Sequence, residues 1–358
     1  MKNITVPAIP NKVLLSNSSI MPLGEISLVQ NIKNELVQNC KYNSKILTFD
    51  ESYQNAVLSP VFINHMNEIY IYLKKHFKKN SVLVEVGCGK GQFLEIVRDD
   101  KHFIYFGFDT TYEGADQNIQ KRYLNKNDKL SADVVIIRHS LDYVEAPHKF
   151  LNMLKNIFDP QCKVFIELPN FSWIKKEKVI FDLTPERVSY FTKNALCNMF
   201  KRVVEHKFIF SNQYQFILAN FRDLEDQYED DFSSSNSWIN INLLPFFSSF
   251  KRFAKNTSEI NFKRIWVWGG GSRGVLFLHH LKSFDKKLYK KISGLVDINP
   301  KRQNCFTPST LIKIISPYAL YRHLDKNDIV LIVNANYFEE IKMDILRNTS
   351  FEPYFLKL

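Results

Sequence analysis

The chain has 358 residues, enough for two domains, and its 45% hydrophobic and 24% charged content is that of an ordinary globular protein. No apolar run approaches the roughly 20 residues of a membrane span. Prolines and asparagines interrupt the opening "MKNITVPAIPNKVLL" where a signal peptide needs an unbroken apolar stretch, so a cytoplasmic location with no membrane partner is expected. The net charge of +11 admits nucleic acid or an anionic small substrate, but the basic residues are dispersed in short clusters such as "KKHFKK", which disfavours nucleic acid.

The first 70 residues read as an accessory, substrate-side segment: a loop-like start, a strand in "NSKILTF" and a helix beginning in "PVFINHMNEIYIYLKKHF". Residues 71–221 change rhythm. "SVLVEVG", "FIYFGFD", "ADVVIIRH" and "KVFIELP" are short apolar runs separated by helical stretches, the pattern of buried parallel strands. "VVEHKFIFSNQYQFILANF" follows as an antiparallel hairpin on the same sheet. The acidic and then serine-rich "DLEDQYEDDFSSSNS" opens residues 222–260, expected as linker helices. A second, smaller alternating unit occupies 261–358, with strands in "RIWVWGGG", "KISGLVD" and "DIVLIVN". The fold class expected is α/β: a Rossmann-like domain, a second smaller Rossmann-like domain behind it, and the N-terminal accessory segment.

In the first unit, Gly87, Gly89 and Gly91 follow a strand and open a helix, so the backbone there comes close to a small ligand. Glu85 precedes the loop, and Asp109 ends the next strand, placed to accept the hydroxyls of a ribose. Loop, acid and strand order together resemble the class I S-adenosylmethionine (SAM)-dependent methyltransferases. On that resemblance SAM is the cofactor, bound at Glu85, Gly87, Gly89, Gly91 and Asp109.

A narrower likeness follows. "RHSLDYVEAPHKFL", "IELPNFSWI", "FDLTPERVSYFT" and the upstream "FDESYQNAVLSPVFINH" resemble the linked motifs of the sugar-nucleotide C-methyltransferase-like family. The resemblance implies a small-molecule partner, a sugar nucleotide or sugar phosphate, methylated at carbon or oxygen in polysaccharide or secondary-metabolite assembly. Two departures alter what carries over. Members have an N-terminal zinc site built from cysteines, but only Cys40 lies in that region, so no metal is expected. Members that deprotonate a sugar carbon have histidine where Arg187 stands, and arginine cannot serve as a base near neutral pH.

The proton acceptor must therefore come from elsewhere. His139, at a strand's carboxyl end, is either the base or a wall of the cofactor pocket. Glu186 is either a desolvated base or the ion-pair partner of Arg187. Tyr190 and Tyr53 are divided between packing and catalysis. Arg187 suits a substrate phosphate or carboxylate, or a structural salt bridge. Gly269, Gly271 and Gly274 fit the dinucleotide spacing with Asp297 after the next strand, which admits NAD. The family resemblance instead places this loop against the sugar substrate, with Arg273, Asn336 and Tyr337 as substrate-binding residues. A purely structural lobe is the third reading. Two rival functions come from other classes: a nucleic-acid methyltransferase, and a SAM-binding protein without turnover.

Overall fold

Two sheets, one mainly and one wholly parallel, organise the chain, and a small antiparallel sheet carries two of the N-terminal strands. The computed structural model describes residues 3–16, 21–50, 52–232 and 237–358. Strands β1 (Ile4–Pro7) and β2 (Leu23–Ile26) form a hairpin, followed by β3 (Leu28–Asn31) and β4 (Val37–Asn39). The strand expected in residues 43–49 is instead a single 3₁₀ turn at Ser44–Ile46. Asn43 Oδ1 accepts from the Lys45 backbone N–H at 3.1 Å, a local bond that competes with a sheet ladder. Helix α1 (Pro60–His76) starts with proline at its first position, where the missing N–H costs nothing.

The next strands are β5 (Val82–Val86), β6 (Ile104–Phe108), β7 (Ile119–Gln120), β8 (Val134–Arg138) and β9 (Lys163–Pro169). They run parallel, connected through α2 (Gln92–Asp100), α3 (Pro147–Ile157) and loops. All five residues of β8 are buried, as a central strand covered on both faces requires. After α4 (Phe171–Glu177), β10 (Ser189–Tyr190) and α5 (Lys193–Cys197), the expected hairpin forms: β11 (Val203–Ile209) with β12 (Tyr214–Asn220). The seven-stranded sheet has the order β11-β12-β9-β8-β5-β6-β7. Chain direction across the sheet reverses between β5 and β8, which leaves a crevice at their carboxyl ends.

Residues 222–260 hold one helix, α6 (Ser248–Ser258), but also a strand, β13 (Trp238–Asn240), where only linker helices were expected. The serine-rich residues 233–236 lie outside the described residues. Strand β13 pairs with β3, and β10 pairs with β4, so one four-stranded sheet joins segments some 200 residues apart in the chain.

The last unit is a five-stranded parallel sheet, β16-β15-β14-β17-β18. It is built from β14 (Ile265–Trp268), β15 (Ile292–Val296), β16 (Ile314–Ile315), β17 (Ile329–Ile332) and β18 (Tyr354–Lys357). Helices α7 (Ser272–Phe284), α8 (Lys286–Tyr289), α9 (Pro317–His323) and α10 (Phe338–Asn348) accompany it. One face of this sheet shares a core with the N-terminal hairpin and residues 171–190, including Val6, Phe181, Phe250 and Phe277. The lobes are therefore packed through apolar surface, and α10 also reaches back to α1: Ser59 Oγ and the Val61 N–H donate to Glu340 Oε2 at 2.6 and 3.0 Å. No helix among the described residues is long and apolar enough to cross a membrane.

Candidate active site

The first glycine loop is held by a carboxylate and by backbone shape. Gly87, Gly89 and Gly91 have φ of 79°, 56° and 83°, the left-handed region that side chains resist. A Cβ at Gly87 would lie 2.6 Å from Ser140 Cβ, so the loop passes too close to the β8 end for any larger residue. The Gly87 N–H donates to Phe108 O at 2.8 Å. Asp109, one residue after β6, then accepts the Gly89 N–H on Oδ2 at 2.8 Å and the Thr111 N–H and Oγ1–H on Oδ1, both at 2.7 Å. Its Oδ1 is thereby filled, and Oδ2 keeps one acceptor position.

Beneath the loop lies a buried charge network that begins with Glu85. Arg138, at the end of β8, donates from Nε to Glu167 Oε2 at 2.7 Å and has Nη1 4.0 Å from Glu85 Oε1. Glu167 is fully buried, and its Oε1 lies 2.6 Å from His65 Nε2 and 3.2 Å from His139 Nε2. Burial opposes the charge on Glu167, but Arg138 and the two imidazoles outweigh it and hold the carboxyl well below its usual range. Glu85 goes the other way. Burial pushes it up to about 7 against the pull of Arg138, with Glu167 and Asp109 adding to the rise. Glu85 Oε2 and Arg138 Nη2 are buried without a hydrogen-bond partner among the described residues. Two such atoms under one glycine loop form an incomplete polar site.

The network, the first loop and the second loop all face one cavity of about 770 Å³ between the lobes. Of the residues expected from the sequence, Glu85, Gly87, Gly89, Asp109, His139, Tyr53, Arg187, Arg273 and Tyr337 line it. His139 does so from a left-handed backbone (φ 51°), its ring edge-on to Tyr214. Gly91 stands behind the loop as the residue before α2.

Tyr190 does not reach the cavity. Its hydroxyl donates to Thr184 O at 3.1 Å and accepts the Thr184 N–H at 3.0 Å, which spends it on the turn that carries Glu186. Asn336 is also turned away: its Nδ2 donates to Phe210 O and Gln213 Oε1 at 3.2 and 2.8 Å, tying the β11–β12 hairpin to the last unit. The two arginines expected to meet a substrate anion are already paired. Arg187 Nε donates to Asp142 Oδ2 at 2.6 Å, and Arg273 grips both oxygens of Asp182 at 2.5 Å.

Glu186 lies behind this wall, with both carboxylate oxygens unpartnered among the described residues. Burial pushes it up to about 8; Arg187 opposes the rise, and Asp142 reinforces it. Its folded pKa stands above the ordinary 4.5, so the stability present below about pH 4.5 is lost as pH rises toward 8. Glu186→Gln should therefore match the wild type in acid and exceed it by a few kcal/mol above about pH 9. Urea unfolding at the two extremes checks this; an equal gap at both would contradict it.

The second glycine loop repeats the hydrogen bonding of the first. The Gly269 N–H donates to Val296 O at 2.9 Å, and Asp297, one residue after β15, accepts the Gly270 and Asn299 N–H groups on its two oxygens at 2.8 and 2.7 Å. A Cβ on Gly274 would lie 1.9 Å from Gly269 O, so that glycine serves close helix–strand packing. The helix start itself is taken. Asn11 Oδ1 accepts from the Ser272 N–H at 3.0 Å and from Arg302 Nη2 at 3.1 Å, where a dinucleotide would place its pyrophosphate. This arrangement does not favour NAD.

Residues 64–203 match a family model described as a methyltransferase domain. By this match, residues 64–203 are a methyltransferase domain. Similar solved structures include SAM-dependent methyltransferases from Aquifex aeolicus and Archaeoglobus fulgidus, at 14% and 17% identity. Each likeness covers 44% of this chain, with 97% and 93% of the other chain and TM-scores of 0.33 and 0.35. No curated protein matches the sequence. Arg138, Glu167 and His65, which complete the methyltransferase domain's buried network, were missed in the sequence. The signal was there for two of them: "VVIIR" and "VFIEL" each carry a charge inside an otherwise apolar strand, and a buried charge needs a partner.

Proposed function

We propose that the protein methylates a nucleotide-activated or phosphorylated sugar at oxygen or carbon, in polysaccharide or secondary-metabolite assembly in the cytoplasm. The observation that carries the reading is the incomplete polar site under the first glycine loop, in a cavity that also extends to the second lobe. When bound, SAM supplies an electrophilic methyl on a sulfonium. In this reading the Glu85 carboxyl faces the ammonium of its methionine part and the free Arg138 Nη2 its carboxylate. The loop backbone at Gly87 and Gly89 lies along the ligand, and the open position on Asp109 Oδ2 accepts a ribose hydroxyl. The sugar part of the reading is supported by the family motifs and by the polar and aromatic lining beyond His139, including Tyr53 and Tyr143.

An acceptor hydroxyl or activated carbon must lose a proton as the methyl is transferred. His139 is the group we assign to take it, because it lines the cavity whereas Glu186 does not. Tyr53 and Tyr143, whose hydroxyls are 3.3 Å apart, would orient the acceptor. Incubation with radiolabelled SAM and a panel of nucleotide sugars tests the reading. Label transfer should appear for at least one sugar and fall by about 10²–10⁴ in His139→Asn. SAM binding with no transfer to any panel member would favour a SAM-binding protein without turnover; no SAM binding would end the reading altogether.

A further inference from the structure

The two glycine loops carry the same lock, and it leaves the second one with a ligand position that no hydrogen bond among the described residues fills. In each, the N–H of the first loop residue meets the last carbonyl of the neighbouring strand, at 2.8 Å from Gly87 and 2.9 Å from Gly269. In each, the next residue after that strand is an aspartate whose oxygens divide between a loop N–H and the N–H two residues on. Asp109 and Asp297 are thus equivalent positions, and both line the shared cavity.

Asp297 has the greater capacity. Asp109 also accepts Thr111 Oγ1, whereas each oxygen of Asp297 accepts one N–H and keeps a second acceptor position. The Arg302 Nε is 3.8 Å from Asp297 Oδ2, too far to occupy that position by a hydrogen bond. Two adjacent hydroxyls match two adjacent acceptors. The surrounding cations do not invite an anion: Arg302 is spent on Gly270 O, Asn11 Oδ1 and Gln54 O, and Arg273 on Asp182. The N–H of Ser272 at the start of α7 is closed by Asn11. Recognition at this end of the cavity therefore runs through neutral hydroxyl groups.

We propose that Asp297 holds a vicinal diol of the methyl acceptor across the cavity from the cofactor loop. This rests on the reading above that the acceptor is a polyhydroxylated molecule. The diol could belong to a ribose or to a pyranose ring, and the same experiment separates the two. The protein is saturated with S-adenosylhomocysteine to occupy the first loop. Uridine, 2′-deoxyuridine and methyl β-glucopyranoside are then titrated, with saturation-transfer NMR as the readout, on wild type and Asp297→Asn.

A ribose diol predicts that uridine binds about tenfold more tightly than 2′-deoxyuridine, and that Asp297→Asn removes the difference. A pyranose diol predicts that the glucopyranoside binds and loses about tenfold in the variant, with uridine silent. In both cases S-adenosylhomocysteine affinity stays unchanged, which also shows that the variant is folded. If the variant does not fold, the uridine and glucopyranoside titrations of the native protein decide. Binding that ignores both the 2′-hydroxyl and the substitution would overturn the proposal, and so would no binding of any probe. Loss of the cofactor reading would show separately, as wild type that fails to take up S-adenosylhomocysteine.

Discussion

Asp109→Ala should lower affinity for SAM and S-adenosylhomocysteine by at least about a hundredfold. One carboxylate holds three donors, the Gly89 N–H, the Thr111 N–H and the Thr111 hydroxyl, and all three lose their acceptor at once. Hydrogen bonds to a charged group contribute about 1.5–3 kcal/mol each, and a hundredfold is about 2.7 kcal/mol. Even partial replacement by water leaves that much, before any contact to a ribose is counted. The loop they hold contains three residues at positive φ, so its native shape is one of many open to it once released. Asp109→Asn, which keeps an acceptor for some of these bonds, should fall between wild type and Ala. Calorimetry with S-adenosylhomocysteine measures both, and an alanine variant within threefold of wild type would refute the account.

Glu167→Ala is expected to cost about 3–5 kcal/mol of stability, the usual penalty for leaving one half of a buried ion pair. Arg138 and His65 are both almost fully buried and share this carboxylate, so neither finds water when it is removed. Glu85, 4.0 Å from Arg138 Nη1, is too distant to take over its Nε bond. The sharper check is a replacement of both partners. Arg138→Met with Glu167→Leu should recover part of the loss in urea unfolding, because the guanidinium is no longer stranded although His65 still lacks its acceptor, while still abolishing cofactor binding. Failure of the double variant to recover would point to packing rather than charge as the source.

These residues also show what the sequence makes legible. The parallel strands of both sheets stand out because a strand covered on both faces must be almost wholly apolar, as "VVII" and "IWVW" are. The first glycine loop and Asp109 were equally open to reading, since spacing alone determines a turn of that kind. The N-terminal strands were not. They are three or four residues long, and β4 and β3 take partners from residues 189–190 and 238–240, far beyond any local window. The pairing of Arg138 with Glu167 needs the register of β8 on β9, in which those two residues stand opposite each other. Likewise the second loop has the spacing of a dinucleotide site, but what occupies its helix start comes from Asn11, 261 positions earlier. Local chemistry was written in the sequence; its long-range occupants were not.

The reach of Asn11 has a consequence for how the protein comes into being. A ribosome releases this residue early, yet its side-chain partners are Ser272 and Arg302, the latter 291 positions later. Strand β3 waits in the same way for β13, and β4 for β10. The seven-stranded sheet draws on a continuous stretch, residues 82–220, and can close while synthesis continues. The β1–β2 hairpin and Asn11 must remain unplaced until the last lobe exists, with buried apolar residues such as Val6 and Ile26 exposed meanwhile. Assembly of the cavity is thus the closing event of biogenesis, and the nascent segment is where a chaperone would be needed.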